Sequence, residues 1–420
     1  MRHTVPIALA VLLALSLPVS AVGTAGSSSI ATNADDNETT FRFQNSAVSV
    51  EGDHAQLEGT PNRLVLQGDG ETTYANLTLD FGLMVASHDE SIRTDHRMYA
   101  LETSLTDIEG NENRTEAINA ELKRIEERIE DLREREREIV TAHAAGEASE
   151  DEVLRTLARN HYEARVLQQA LDDLDRQSNG IVDISDSVEA FAAELEVYRS
   201  PIRTDIESSL RGVDESDESA DATPMILLES ASNGLTLSTL DGDTYIRETT
   251  RYDNRVRDRP DQIGTMDKAR RTAQELYPWA FETTSGTYTI KHETNKLYQV
   301  QAMSHDQGHL TVYFGGGANA VYHERQTLDL DSIPIESADS MSTANLTATF
   351  ERTPDTAPAK ITVTESDDGA PVDATIVVDG TVIGETDANG ELWLVPPTDG
   401  FELTVRTESE SLKAIEFARR

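Results

Sequence analysis

A few histidines, acids and glycines are the residues best suited to chemistry in this chain. His305 and His309 stand four apart in the stretch HDQGH. On a helix that spacing turns two imidazoles toward one metal ion. Here Gly308 and the alternating residues on either side predict a hairpin turn instead. His292-Glu293 and His323-Glu324 each set a base beside an acid, but both lack the second His of a zinc-protease helix and read as ordinary strand residues. Gly315-Gly316-Gly317 is not followed by the Lys-Ser/Thr of a phosphate loop, so it reads as a flexible turn. Asp387 and Asn389 offer hard oxygens to Ca²⁺, yet two ligands fall well short of the roughly six to eight such a site takes. Trp279 and Trp393 suit core or rim packing better than a sugar platform. There is no Gly-x-Ser-x-Gly, and no Cys for a disulfide, a thiolate metal site or a nucleophile. The expectation is therefore no catalytic residue, no cofactor and no metal.

What must hold these residues is a long and very acidic chain. Its 420 residues carry 77 acids against 36 bases, a net charge of −41. Such a polyanion repels nucleic acid and anionic membranes. Only six of the bases are Lys, and the other thirty are Arg. Many acids and few Lys predict a protein adapted to molar salt, where the Debye length falls to roughly 3 Å and self-repulsion is screened. The amino terminus has a short basic start, an apolar run from Val5 to Val19, then the small residues Val19-Ser20-Ala21 or Gly23-Thr24-Ala25. That pattern predicts a secretory signal peptide over 1–25, with an uncleaved anchor as the alternative. The absence of a twin Arg favours the general secretory route. Asn37, Asn76, Asn113 and Asn345 sit in sequons and are candidate glycosylation acceptors outside the cell.

Residues 26–40 are small and polar and predict a disordered leader. The runs AVSV, RLVLQ and ANLTLDFGLMV predict a small β region over 41–90. A helical period follows over 91–212. Ile118, Leu122, Ile125, Ile129, Leu132 and Ile139 step by 4, 3, 4, 3 and 7, a heptad seam in which Glu136 takes one apolar position. Val153, Leu157, Asn160, Ala164, Leu167, Leu171 and Leu174 form the second run. Gly146 ends one helix, and Ser149 with Glu152 makes a capping box for the next, so the pair predicts an antiparallel hairpin. Met98, Leu101, Leu105 and Ile108 suggest a helix before it; Ile184, Val188, Phe191, Leu195 and Tyr198 predict one after it. The charge-rich stretch Ile125–Val140 falls on positions the seam leaves free and reads as a solvated face. The seam also offers self-association between two chains. An acidic linker spans 213–224, and an α+β domain with an antiparallel sheet is predicted over 225–340, its helix at Met266–Leu276.

Two resemblances attach to the later part. The stretch KARRTAQEL…YTIKHETNKLYQVQAMSHDQGHLTVYFGGGANAVYHE resembles the small PepSY-type module, with FGGGANAV where that family carries an Asp-rich turn. The resemblance implies an exported module that restrains proteases and brings no catalytic residue. Asp368 to Arg406 resembles the carboxypeptidase regulatory-like β-sandwich, through Gly369-Ala370-Pro371-Val372, Asp379-Gly380 and Thr386-Asp387-Ala388-Asn389-Gly390. That implies a structural or adhesive sandwich over 341–420. Taken whole, the chain resembles exported multidomain proteins of haloarchaea. The expected fold is multidomain α+β: a small β region, an antiparallel helical hairpin or coiled-coil segment, an α+β domain and a terminal β-sandwich. The expected function is a non-enzymatic exported or cell-surface interaction protein with a protein partner, no nucleic acid, and membrane contact only through an uncleaved amino terminus. The alternatives are a regulator of secreted proteases through the PepSY-like part, or an extracellular hydrolase.

Overall fold

The computed structural model describes residues 39–417 apart from 45–48, 52–53, 57–62, 78, 108–110, 179–181, 213–224, 282–285, 293–294, 354–357 and 399. The signal peptide, nearly all of the leader, Asn37 and the acidic linker lie outside the described residues. The chain opens with β1 (Thr39–Gln44), β2 (Ser49–Glu51), β3 (His54–Gln56), β4 (Arg63–Leu64) and β5 (Gly70–Ala75). These strands do not form one small sheet: β2, β3 and β4 pair together, while β1 and β5 join two other sheets.

The run ANLTLDFGLMV, a strand by composition, instead turns into α1 (Phe81–Asp107). Asp80 starts the helix, its Oδ1 accepting from Leu83 N at 3.0 Å. A short apolar run does not by itself separate strand from buried helix. Then come α2 (Asn111–Ala144), α3 (Glu150–Ser178), α4 (Val182–Glu196) and α5 (Pro201–Arg211). The turn between α2 and α3 uses Gly146 at φ 70°. Ser149 N donates to Glu152 Oε2 at 2.9 Å and Glu152 N to Ser149 Oγ at 3.4 Å, the reciprocal bonds of a capping box. Ile118, Leu122, Ile125, Ile129 and Leu132 of α2 are buried with Leu167, Leu171 and Leu174 of α3, Ile184 and Leu195 of α4, and Met98 and Leu105 of α1. The heptads therefore close within the chain.

Next are β6 (Ile226–Ala231), β7 (Gly234–Asp241), β8 (Thr244–Arg251), α6 (Met266–Leu276), β9 (Thr287–His292), β10 (Leu297–His305), β11 (Gly308–Gly315) and β12 (Ala320–Asp329). With β5 they form an eight-stranded antiparallel sheet in the order β5-β6-β7-β8-β12-β11-β10-β9. One face buries Tyr298, Val300, Val312 and Phe314 against Ala269 and Ala273 of α6 and against Trp279. The other buries Ile226, Leu228, Leu235 and Leu237 against Val140, Val153, Leu157, Ile202, Ile206 and Leu210 of the helices. Both faces are thus covered by helix.

The chain ends with β13 (Ser337–Ser342), β14 (Leu346–Arg352), β15 (Ala359–Glu365), β16 (Thr375–Val378), β17 (Thr381–Glu385), β18 (Glu391–Leu394), β19 (Gly400–Arg406) and β20 (Ser411–Phe417). Two sheets, β13-β14-β15-β18 and β1-β20-β19-β16-β17, make a β-sandwich around Phe350, Ile361, Val363, Ile376, Leu403 and Val405. β1 lies parallel to β20, so an amino-terminal strand completes a carboxyl-terminal sheet. Asp379 and Gly380 both have positive φ, 48° and 83°, as a two-residue hairpin turn requires. The sandwich meets the large sheet where Tyr74 OH donates to Val395 O at 2.6 Å and Thr398 Oγ1 to Glu229 Oε1 at 2.7 Å. No helix among the described residues is long and apolar enough to cross a membrane.

Candidate functional site

The helical heptads are broken by two polar residues, and these meet. Asn160 Nδ2 donates to Leu132 O at 3.0 Å and lies 3.4 Å from Glu136 Oε2. Glu136 is 1% exposed, so this one acid of the Ile125–Val140 stretch does not belong to a solvated face. Its partner comes from α5. Arg203, 0% exposed, donates through Nη1 and Nη2 to the two oxygens of Glu136 at 2.6 and 2.9 Å, and through Nε to Glu248 Oε1 of β8 at 2.7 Å. Tyr252 OH adds a bond to Glu136 Oε1 at 3.2 Å. Burial alone would pull the guanidinium down, but Glu136 and Glu248 beside it hold it well above its usual value. One arginine thus ties α2, α5 and the sheet together away from water.

A second knot lies beside α4. The buried carboxylate of Glu194 accepts from Arg133 of α2 at 2.5 Å, from Arg255 at 2.9 Å and from Arg257. Arg133 and Arg257 also share Glu130, at 2.6 and 3.0 Å. Burial raises the Glu194 carboxyl, but the three guanidinium groups outweigh it and leave the group below its ordinary range. Glu163 likewise holds Arg128 and Arg135, and Glu207 holds Arg165 and Arg211. The Glu194 carboxylate, its lone pairs taken by guanidinium N–H groups, keeps its charge and makes a poor proton acceptor.

The triple glycine positions the second knot. A Cβ on Gly315 would lie 2.4 Å from Asn254 O, and one on Gly317 would lie 1.9 Å from Val256 O. The glycines therefore let β11 and its turn approach the backbone that carries Arg255 and Arg257. The stretch is a close packing surface, where the sequence suggested only a flexible turn. Gly317→Ala is expected to push that backbone away and cost roughly 1–3 kcal/mol in urea unfolding. Gly384→Ala, whose nearest contact is a Leu392 side-chain carbon at 3.4 Å, serves as the control at about 0.5 kcal/mol or less.

The remaining sequence candidates are scattered. His305 and His309 flank the two-residue hairpin turn Asp306-Gln307, after which Gly308 opens β11 at φ 141°. His305 Nδ1 accepts from Gln307 N at 3.1 Å and its ring packs on Trp279 at 5.5 Å, while His309 is exposed. His323 and Glu324 are both 0% exposed and point to opposite faces of β12. His323 Nδ1 pairs with Thr250 Oγ1 at 2.9 Å. Glu324 accepts from Leu64 N at 2.7 Å and from Arg247 Nη1 at 2.9 Å, which docks β4 onto the sheet. His292 lies in β9, and Glu293 is outside the described residues. Asp387 Oδ1 accepts from Asn389 N and Glu391 N, both at 2.9 Å, a self-contained turn. Trp279 is core, and Trp393 is half-buried against the same core. Asn76, Asn113 and Asn345 are exposed. Asn345 donates its Nδ2 to Glu410, a bond a glycan there would replace. No group of three His, Asp or Glu suited to a metal occurs among the described residues.

His161, missed in the sequence as one more polar residue of α3, is 2% exposed and donates Nδ1–H to Tyr198 O at 2.9 Å. Burial, opposed by that bond and aided by Arg165, Arg203 and Arg199, lowers it to about 4. Between pH 6.5 and 4 the unfolded chain then binds more protons than the folded one, so the His161 contribution falls with pH by about 3 kcal/mol. Asp205 works in the opposite sense, pushed up to about 6 by burial and by Asp241. The two separate by comparison with His161→Gln. The wild type is expected to lose more stability than that variant from pH 6.5 to 4, and parallel curves would refute the assignment.

Residues 1–215, over half of the chain, match a family described as a domain of unknown function (DUF7096). Residues 226–334 match a family of unknown function (DUF7094), where the sequence resembled a PepSY-type module. Residues 337–414 match an archaeal fibronectin-III type-like domain, where it resembled a carboxypeptidase regulatory-like sandwich. No curated protein and no solved structure matches the chain.

Proposed function

The chain belongs to the DUF7096 family, and from that premise we propose that it is a non-enzymatic, exported interaction protein that holds a stiff helical arm against a sheet and contacts a protein partner outside the cell. The observation that carries the reading is on α1. Val85, Ile92 and Tyr99 are 72%, 55% and 70% exposed. They recur every seven residues, so they form one apolar stripe along the helix. Leu83, Met98 and Leu105 of the same helix are buried against its neighbours. Single exposed apolar residues are ordinary, whereas three in register on a braced helix suit the apolar face of a partner helix. The buried acids of the two knots are held by arginines, which supports a structural use of that chemistry. The archaeal fibronectin-III type-like sandwich supports a contact role at the other end. The apolar amino terminus followed by small residues supports export, and the net charge of −41 supports life in high salt.

The test is a photo-crosslinking residue at Tyr99 in the full chain, irradiated on intact cells in molar salt. One discrete adduct is expected, absent when the crosslinker replaces Ser104 on the same helix. A second copy in the adduct would make the partner self, and a secreted protease would make the arm regulatory. Only diffuse labelling, equal at both positions, would overturn the reading.

A further inference from the structure

The Glu194 knot is unbalanced. Three guanidinium groups share one buried carboxylate, and the only other acid bonded to them among the described residues, Glu130, has a side chain 54% exposed. Arg255 is the most enclosed of the three, with a side chain 2% exposed. Its Nη2 is used twice, by Glu194 Oε1 at 2.9 Å and by Asn295 O at 3.0 Å. Its Nη1 is buried with no hydrogen-bond partner among the described residues, and the same holds for Nε of Arg133 and Nε of Arg257. The flat face of Arg255 is taken by the Tyr322 ring, with Cζ 5.9 Å from its centroid. Arginine stays protonated in proteins, so this charge cannot be relieved by losing a proton. A buried cation whose donors are left open is costly, and a counter-ion removes that cost.

We propose that the Arg133–Arg255–Arg257 cluster binds one small inorganic anion of halide size, held by the open N–H groups with Arg255 Nη1 as the principal donor. Of the three arginines, Arg257 reaches nearest the surface, its side chain 34% exposed. Burial, only partly offset by Glu194, draws the Arg255 guanidinium below its ordinary value, and the neighbouring Arg257 and Arg133 lower it further. The reading gives the chain a use for the anion of a salty medium that is separate from screening. It places the ion where it would brace α2 and α4 against the sheet.

Two measurements test it. Thermal unfolding of the full chain in sodium chloride and in sodium glutamate at equal ionic strength separates binding from screening. Chloride is expected to raise Tm by about 3–6 °C over glutamate, with saturation. In Arg255→Met the difference is expected to vanish, whatever the variant's own stability. If Arg255→Met does not fold, crystals of the wild type soaked in bromide decide the matter. An anomalous peak within hydrogen-bonding distance of Arg255 Nη1 supports the site. Equal Tm values in the two salts, or a bromide map empty at Arg255, overturn it, with water left as the partner of those donors.

Discussion

Arg203→Met is expected to destabilise the protein by about 3–5 kcal/mol, the cost of breaking a buried ion pair from one side. That is a large part of the roughly 5–15 kcal/mol by which a domain is stable. Arg203 has no exposed surface and makes three bonds, two to Glu136 and one to Glu248. Without it two carboxylates face each other away from water, and among the described residues only Tyr252 and Asn160 still donate to Glu136. The cost comes from what is stranded, so removing all three charges behaves differently. Arg203→Met with Glu136→Leu and Glu248→Leu is expected to recover most of the loss, because an apolar set of similar size is often as stable as a buried ion triad. Chemical unfolding of the single and triple variants checks both. A single variant within 1 kcal/mol of the wild type would contradict the assignment.

Glu324→Leu is expected to have an effect of the same order, about 3–5 kcal/mol, for a related reason. The carboxylate is fully buried and pairs with Arg247, which is itself buried and donates its Nη2 to Leu64 O at 2.9 Å. The same carboxylate takes the amide of Leu64 at 2.7 Å. Burial raises its pKa, against Arg247, a Tyr277 hydrogen bond and the Leu64 amide, which lower it. Loss of the acid strands Arg247 and frees β4. Beyond the loss in stability, the amide of Leu64 is expected to exchange with solvent much faster, while the sandwich strands β14 and β15 keep their protection. A slow Leu64 amide in the variant would show that β4 is held by something else.

The residues show why some of this was legible in the sequence and some was not. Periodicity carried the helices and most strands: Ile118 to Leu132 and Val153 to Leu174 step as buried seams, and the structure buries them. The turn chemistry at Gly146, Ser149-Glu152 and Asp379-Gly380 was also readable, since backbone sterics and capping act locally. The small sheet expected over 41–90 holds only for β2, β3 and β4, because β1 pairs with β20 across nearly the whole chain, and β5 with β6 across the five helices, pairings that composition does not record. The knots left a trace that local reasoning could not complete. Glu136 and Asn160 violate the seam, and such violations mark a buried polar partner. Naming that partner needed Arg203, Glu248 and Tyr252, which come from α5 and the sheet. The triple glycine had a similar ambiguity. A turn and a close approach of two backbones both call for Gly, and only the carbonyls of Asn254 and Val256 decide between them.

The account rests on the helical arm and the sheet being one body, locked by Arg203 and Glu194. Native-state hydrogen exchange in molar salt measures this directly. Amides in the middle of α2, around Leu132, and those of Glu248 in β8 and Glu324 in β12 are predicted to open with the same free energy and to fall together in Arg203→Met. If the α2 amides open several kcal/mol more easily than the sheet, and Arg203→Met leaves the sheet amides unchanged, the arm is a loosely attached appendage and the account is wrong.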